Sequence, residues 1–416
     1  MTPVPTRIAT LDVIRGVAVM GILAANIAAF GFPDFAYMSP ASMGAPSFAD
    51  TVAWTANFIV IDGKMRGLFS VLFGASMLLV IDSARAQDEE AAAVHFPRMA
   101  WLAVFGAIHI YLIWWGDILL HYAIVGCAAF MFHRLPTRLL VLTGLVFVAL
   151  QVIQSVLLAG YAFDLQAAAS APQATARAVA NWQSFAANFG GPTQQEITRQ
   201  LAIGRGSYAD LVAHRWSDQV DPASVIIAVG AETLGYMLLG MAGLRSGFLT
   251  GAWSGRAYRR IAIVCVGLGW IAYAGIATVE IGHGFDPRYV LLSWITLATP
   301  VRPVLILGYA ALIIVLARPG GWLTTRIAAA GRTAFSNYIG TSLICTTLFY
   351  GYGFSLFGHL TRAQLYIVVM LVWIGMLGWS KPWLDRFRYG PLEWLWRSLA
   401  RYAWQPMHGS AFTTSR

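Results

Sequence analysis

Two histidines and one aspartate lie inside apolar stretches, where an ionisable side chain is costly and therefore points to function. They are His109, Asp117 and His121. Asp117 and His121 are four residues apart, so on a helix they can face each other. A carboxylate beside an imidazole orients the ring and raises its basicity, as general-base catalysis requires. We predict that His109 or His121, held by Asp117, removes a proton from a hydroxyl or an amine.

A structural interpretation of the same segment stays open. A histidine inside a membrane is often a hydrogen-bonded packing residue, and Asp117 could cap a helix. The neighbouring tryptophans could belong to an interfacial aromatic belt. We nevertheless place Trp115 and Tyr122 in the predicted substrate-binding site.

The first apolar stretch carries a second polar group, formed by Asp12, Arg15 and Asn26. Asp12 and Arg15 are three apart and can pair on one helical face. Eleven residues separate Arg15 from Asn26, and roughly 1100° of helical rotation brings them within roughly 20° of the same direction. The pattern predicts one polar stripe on the first helix. The alternative is an ion pair at the helix end plus a helix-to-helix hydrogen bond.

A third group contains Lys64, Arg66 and Ser70. Arg66 and Ser70 share a face of a helix. The cations need a partner, either an anionic substrate or a buried carboxylate such as Glu232. Three further residues complete the predicted substrate-binding set: Arg332, Asn337 and Tyr338.

The elements that carry these groups are predicted to be membrane-spanning helices. Of the 416 residues, 58% are hydrophobic and 11% are charged, whereas soluble domains have roughly 25% charged residues. A helix needs about 20 apolar residues to cross a bilayer. Ten runs approach that length: 13–32, 54–82, 99–115, 117–133, 138–161, 223–244, 261–281, 301–317, 334–357 and 364–380. We therefore predict an all-α polytopic protein with about ten transmembrane helices.

Two helices should be interrupted. The run 54–82 contains Asp62, Gly63 and Lys64, so we expect a short outer segment before Lys64 and a true helix after Gly67. Residues 289–298 precede two prolines and could form a half-helix.

The distribution of cations orients the chain. With the N-terminus in the cytoplasm, the inner segments carry most arginines, and the short outer loops carry only Arg288, Arg302 and Arg362. This bias predicts an even number of helices and both termini in the cytoplasm. The chain divides into a first half of five helices (1–163), an external loop with one or two surface helices (164–222) and a second half of five helices with a cytoplasmic tail (223–416).

The sequence argues against several kinds of partner and binding site. The basic residues fall in short clusters between apolar runs, which argues against a nucleic-acid partner. The three cysteines, Cys127, Cys265 and Cys345, lack metal-ligand spacing. No nucleotide-binding glycine motif occurs, and we predict no metal site.

Motifs along nearly the whole chain, apart from 164–222, resemble the YeiB-type family of bacterial membrane proteins, a domain of unknown function. The motifs are Arg7, Leu11-Asp12, Arg15-Gly16, Gly21-Ile22, Asn26, Arg66-Gly67-Leu68-Phe69-Ser70, Leu72-Phe73-Gly74, Ile108-His109, Trp115-Gly116-Asp117-Ile118-Leu119, Tyr122-Ala123, Gly331-Arg332, Asn337-Tyr338, Phe349-Tyr350-Gly351, Phe357-Gly358 and Gly390-Pro391-Leu392-Glu393-Trp394.

That family is similar in fold to transmembrane acyltransferases, which move an acyl group from cytoplasmic acyl-CoA to an acceptor at the other face. The Asp12, Arg15 and Asn26 stripe looks like their first-helix pattern. The glucosaminide N-acetyltransferase has a histidine just after its first helix, whereas residues 31–60 here contain none. His109 or His121 would have to replace it.

The resemblance and the residues together predict an acyltransferase of the bacterial inner membrane with acyl-CoA as co-substrate. The donor would enter near Asp12, Arg15 and Arg332, and Asn26 would polarise the acyl carbonyl. The acceptor would be a sugar, a lipid or another small molecule, and the helix faces could support a homodimer. The alternative is a non-catalytic transporter or binding protein for an anionic amphiphile or lipid, since interrupted helices line substrate sites.

Overall fold

The fold was obtained as a computed structural model that describes residues 8–219 and 221–408, with the side chains of 218 and 219 left aside. Arg7 lies outside the described residues, as does the end of the predicted cytoplasmic tail. Every regular element in the described ranges is a helix. The helices are α1 (Ala9–Gly31), α2 (Phe48–Ala56), α3 (Lys64–Arg85), α4 (Ala91–Ile108), α5 (Leu119–Phe130), α6 (Thr137–Ala169), α7 (Ala176–Ala187), α8 (Gln194–Gly204), α9 (Tyr208–His214), α10 (Pro222–Arg245), α11 (Gly255–Gly282), α12 (Pro287–Leu291), α13 (Ala298–Leu316), α14 (Trp322–Arg332), α15 (Ala334–Phe349), α16 (Arg362–Arg386) and α17 (Pro391–Ala400).

Eight helical segments within the described residues are long and apolar enough to cross a membrane. They are 9–31, 48–85, 91–113, 137–169, 222–245, 255–282, 287–316 and 362–386. The two other predicted runs form α5, with 12 residues, and α15, with 16 residues. Twelve helical residues extend about 18 Å, less than the ~30 Å hydrocarbon core. The predicted polytopic all-α fold is confirmed, but two of the ten predicted helices are too short to span on their own.

The helices at the centre of the bundle are more completely buried than those at its periphery. In the most apolar part of α1, 78% of the residues are buried, against 28% in α6 and in α16. Large apolar side chains on α6 and α11 are exposed, including Leu142, Leu157, Ile263 and Ile271. Since a lipid-facing surface is apolar, α1 lies at the centre of the bundle and α6 and α11 lie on its surface.

The predicted break at Gly63 is confirmed. A π-helical turn (Asn57–Ile61) ends at Asp62, and α3 begins at Lys64 rather than after Gly67. Gly63 has a φ of 70°, and a Cβ there would lie 2.5 Å from Nε of Arg302. Only glycine combines this backbone conformation with so close an approach.

The half-helix expected over 289–298 is instead continuous with its neighbour. The short α12 leads into a π-helical turn (Leu292–Leu297) that runs directly into α13, and Pro303 lies inside α13. The wider turn accommodates backbone groups that proline leaves without their usual partners.

The helix ends that the cations predict to face the cytoplasm lie near one another. Thr10 at the start of α1 donates to the carbonyl of Leu249, and Trp396 of α17 donates to the carbonyl of Arg98. Both ends of the described chain thus lie at one end of the bundle, as an even number of crossings requires.

The two predicted halves are separate in sequence but pack against each other. Helix α10 lies between α3 and α6, and α1 packs along α14. A Cβ on Gly240 of α10 would lie 1.9 Å from the carbonyl oxygen of Val71 in α3. Small residues that allow such close approach are typical of helix pairs in membranes.

The segment between the halves holds more structure than expected. Helix α6 continues to Ala169, and three short helices follow, α7, α8 and α9. The prediction of one or two surface helices was therefore too low. Each of the three begins with a serine or threonine cap, which the sequence pattern did not reveal: Thr175, Thr193 and Ser207.

Candidate functional site

His109 is the centre of a buried chain of three hydrogen-bonded side chains. Its Nδ1 lies 2.8 Å from Oδ1 of Asp117, and its Nε2 lies 2.8 Å from the hydroxyl of Ser342. The side chains of His109 and Asp117 have no exposed area. Because the carboxylate accepts the Nδ1 proton, Nε2 is left as an acceptor for the Ser342 hydroxyl. In this arrangement a carboxylate orients an imidazole, and the imidazole contacts a hydroxyl. Catalytic nucleophiles are activated by a general base in the same way.

Local backbone geometry places these groups. His109 opens a π-helical turn (His109–Ile113) at the end of α4, and Trp114 is extended, so the chain reverses before α5. The second carboxylate oxygen of Asp117 accepts a hydrogen bond from the backbone N–H of Leu120 at 2.7 Å. Asp117 therefore caps α5 and orients His109 at once. Ser342 is supplied by α15, far away in sequence.

The predicted pairing of Asp117 with His121 is wrong. Asp117 lies before the first residue of α5, where helical spacing does not apply, and its carboxylate turns back to α4. His121 instead bonds through Nε2 to the hydroxyl of Thr233 at 2.9 Å. Its Nδ1 is buried without a partner among the described residues.

A small cavity lies beside Ser342. It is lined by Val19, Ile22, Leu23, Asn26, Phe30, Trp114, Tyr338, Thr341 and Ser342. Its volume is ≈ 10 Å³, about the space that one water molecule requires. Two of its polar atoms, Nε1 of Trp114 and Oγ1 of Thr341, are buried without a hydrogen-bond partner among the described residues. Buried donors without partners are rare and call for an explanation.

The polar stripe on α1 reaches this cavity at one end only. Asn26 lines it. Asp12 and Arg15 form the predicted pair, with 3.3 Å between their charged atoms, and Arg15 also donates to Ser76 at 2.7 Å. Arg15 lies roughly 17 Å and Asp12 roughly 21 Å from Asn26 along the helix, toward the N-terminal end of α1.

Arg66 has the buried carboxylate partner that was predicted. Glu232 accepts hydrogen bonds from both Arg66 and Arg302, and Tyr236 donates to it at 2.7 Å. Arg302 was expected in an outer loop, but it is buried within α13. The negative charge of Glu232 explains why an arginine can be accommodated there.

The remaining members of the third group join the same network or lie beside it. The Ser70 hydroxyl is 2.8 Å from that of Tyr122, and both bond to the carbonyl of Arg66. The Lys64 amine is fully buried, donates to the carbonyl of Phe58 and lies 3.2 Å from the ring centre of Tyr273. Lys64 is therefore a packed cation rather than an open binding group.

The remaining predicted substrate-binding residues fall into two groups, of which the first lies near His109. The Tyr338 ring lies 5.0 Å from that of His109, and its hydroxyl accepts from the N–H of Ile118 at 3.2 Å. Trp115 is half-buried and packs on Trp114.

By contrast, Asn337 bonds to Thr333, Ser380 and Trp379 and fixes the junction of α14 and α15. Arg332 donates to the carbonyl of Arg388, at the end of the bundle where α1 begins. The structure thus brings Tyr338 and Trp115 to the His109 site and leaves Asn337 and Arg332 away from it.

The sequence reasoning missed Ser342, Thr341 and Arg302. One signal was present, because Ser342 follows Tyr338 by four residues and so shares its helical face. Among the residues that the structure describes, no group of three or more potential metal ligands occurs.

Comparisons with known proteins agree over nearly the whole chain. A family model described as "Protein of unknown function (DUF418)" matches residues 244–403. The chain is 34% identical to the uncharacterized protein YeiB of Escherichia coli over 96% of this chain and 98% of the relative. It is 30% identical to the uncharacterized protein YxaH of Bacillus subtilis over 96% of both chains.

A third relative is an uncharacterized 39.9 kDa protein in the amylase 3' region of Bacillus acidopullulyticus, 25% identical over 94% of this chain and 93% of the relative. No solved structure matches significantly. On the extent of these matches, the chain belongs to the family of YeiB and YxaH, whose C-terminal part is DUF418.

Proposed function

We propose that this protein is an acyltransferase of the bacterial inner membrane, with both termini in the cytoplasm. The observation that carries the proposal is the buried Asp117–His109–Ser342 chain, with 2.8 Å at each link. A histidine with one nitrogen held by a carboxylate and the other on a hydroxyl is arranged to take a proton from that hydroxyl. Acyl transfer to a hydroxyl or an amine needs this step.

Each residue has a defined part in the reaction. Nε2 of His109 removes a proton from the attacking group, and Asp117 stabilises the imidazolium that forms. Asn26, on the wall of the same cavity, donates to the oxygen of the acyl carbonyl as its negative charge develops. The apolar lining limits competing attack by water.

The donor in this proposal is acyl-CoA from the cytoplasm. Arg15 and Arg332 lie at the inner end of the bundle, where cations suit the phosphates of the donor. The distance of roughly 17 Å from Arg15 to Asn26 lets a long donor place its thioester at the cavity while its charged end stays in water. The acceptor is a sugar, a lipid or another small molecule.

The present cavity, with ≈ 10 Å³, does not admit an acyl group. Substrate entry therefore requires helix movement, and the turn after His109 is suited to it, because π-helical turns are frequent at functional sites.

One observation favours transport of an anionic amphiphile as a second candidate. Arg66 and Arg302 lie beside a broken helix and share the carboxylate of Glu232, and the break itself carries Asp62 and Lys64. Interrupted helices with charged residues line the substrate sites of transporters.

The test measures release of CoA from acyl-CoAs of several chain lengths by membrane vesicles that contain the protein and supply lipid and glycan acceptors. We expect release by the native protein and loss of it in His109→Ala. The matched control is His95→Ala, since His95 is also buried but, among the described residues, hydrogen-bonds only to the carbonyl of Gly126 at 3.1 Å.

Thermal unfolding of each purified variant shows whether it folds. An active His109→Ala would refute the mechanism. Absence of release from every donor, together with movement of a labelled anionic lipid across proteoliposomes, would favour the transporter.

A further inference from the structure

We infer that Ser342 is the nucleophile and carries the acyl group covalently between donor and acceptor. The inference rests on the proposed function and deepens it, because it replaces direct transfer with two successive transfers. Ser342 is 1% exposed and lies on α15, with its hydroxyl 2.8 Å from Nε2 of His109.

Among the described residues, the Ser342 hydroxyl has one other hydrogen-bond partner. This partner is the carbonyl of Tyr338 at 3.3 Å, one turn earlier on the same helix. This is the ordinary back-bond of a serine in a helix. The contact to His109 is the shorter one, and it places the serine at the single ring nitrogen that can act as a base.

Direct transfer conflicts with this arrangement. An acceptor hydroxyl would need the position on Nε2 that Ser342 occupies. Donor and acceptor would also have to be present together beside a cavity of ≈ 10 Å³. A covalent intermediate allows the two substrates to enter one after the other, from opposite faces of the membrane.

The same cavity offers donors for the negative charge that forms during attack on the carbonyl. Nε1 of Trp114 and Oγ1 of Thr341 are buried and have no partner among the described residues, and Asn26 also lines this cavity. A buried donor without a partner is energetically costly. A transition-state oxygen would satisfy these groups when it forms.

The reaction has two steps, acylation of Ser342 and transfer of the acyl group to the acceptor. In the first, the Ser342 oxygen bonds to the acyl carbon, the thioester C–S bond breaks, and the serine proton passes through His109 to the leaving thiolate, giving free CoA. In the second, His109 takes a proton from the acceptor, the acceptor bonds to the acyl carbon, and the proton returns to the Ser342 oxygen as the ester C–O bond breaks.

The experiment uses the full-length protein in detergent with two probes. The first is acetyl-CoA without acceptor, quenched in acid and followed by peptide mass spectrometry. The second is a fluorophosphonate, which reports an activated serine without any acyl donor. The variants are Ser342→Ala, Ser342→Cys, His109→Ala and the control Ser155→Ala, a buried serine of α6 bonded to the carbonyl of Val152 at 2.7 Å.

We expect a burst of about one CoA per chain and an acetyl group on Ser342 in the native protein and in Ser155→Ala. Ser342→Ala should lose turnover by roughly a thousandfold or more, whereas Ser342→Cys should still be acetylated, as a thioester cleaved by hydroxylamine. Fluorophosphonate should label Ser342 and depend on His109.

Turnover in Ser342→Ala within a few-fold of that in Ser155→Ala would overturn the inference and leave acyl transfer intact. Failure of acetyl-CoA turnover with retained, His109-dependent fluorophosphonate labelling would overturn the proposed donor but keep the nucleophile. Absence of both signals in the folded native protein would overturn the nucleophile.

Discussion

Two polar regions are buried in the bundle, and they differ in how their charges are paired and in whether a cavity borders them. Around Glu232, two arginines and Tyr236 occupy the carboxylate oxygens. Around His109, the chain to Ser342 borders a cavity in which Trp114 and Thr341 have unpartnered polar atoms.

A buried carboxylate whose oxygens are both occupied by arginines is a stable joint between helices, although Nε of Arg302 has no partner among the described residues, whereas donors that border a cavity can meet a group that arrives later. On this difference, we assign the proposed chemistry to the His109 site and a role in assembly to the Glu232 cluster. The predictions below alter one region at a time.

The largest expected effect is that of Asp117→Asn on catalysis. An amide in place of the carboxylate cannot hold the same histidine tautomer or stabilise the imidazolium, and we expect a loss of activity of about 10⁴-fold. The helix cap can survive, because the amide oxygen can still accept from Leu120. Initial rates of CoA release measure the loss, and an unchanged rate would remove Asp117 from the mechanism.

Glu232→Gln should act on stability instead. Removing the charge leaves Arg66 and Arg302 buried without compensation, which costs about 3–5 kcal/mol. We expect a large drop in unfolding temperature and in yield. The control is Asp385→Asn, which removes one partner of an exposed pair with Lys381 and should cost less than about 1 kcal/mol. Equal stability of both variants would contradict a structural role for the cluster.

Trp114→Phe tests the unpartnered donor. The ring stacks on Phe30 with 3.9 Å between centroids, and phenylalanine preserves most of this packing. If Nε1 stabilises the oxyanion, activity should fall about 10²–10³-fold while the unfolding temperature changes little. A fall in stability without a larger fall in activity would make Trp114 a packing residue.

The structural features that depend on local residue spacing and charge could be predicted from the sequence. The break at Gly63 and the Asp12–Arg15 pair follow from spacing and charge, and the structure contains both. The orientation of the helix ends toward the cytoplasm stays a prediction. Glu232 was found as a partner because few other carboxylates lie in apolar runs. Composition alone was sufficient for the polytopic fold.

The site itself depends on contacts that spacing does not encode. Ser342 is 233 residues from His109, and no local rule joins them. Asp117 was assigned to His121 because four-residue spacing presumes a helix, while the chain becomes helical only at Leu119. Arg302 was counted among the outer-loop cations because it stands at the edge of the predicted run 301–317, yet α13 begins at Ala298 and continues through Pro303.

The smallest expected effect concerns the exposed hydrogen bond between Ser207 and Asp210. Ser207 caps α9, and its hydroxyl donates to Asp210 at 2.7 Å. This hydrogen bond and the one from the backbone N–H of Ser207 lower the pKa of Asp210 below its usual value. A lowered folded pKa stabilises the cap above the unfolded pKa, and this stabilisation is lost as the pH falls through the folded value.

The protection of α9 against hydrogen exchange, relative to the intrinsic rate at each pH, should therefore fall in acid, and Asp210→Asn should reduce this pH dependence. Leu120 lies inside the bundle beside the buried Asp117–His109–Ser342 chain, so its protection should not fall with that of α9. If Leu120 and α9 respond to acid alike, the His109 site is as hydrated as the surface cap, and the contrast between buried and exposed networks fails.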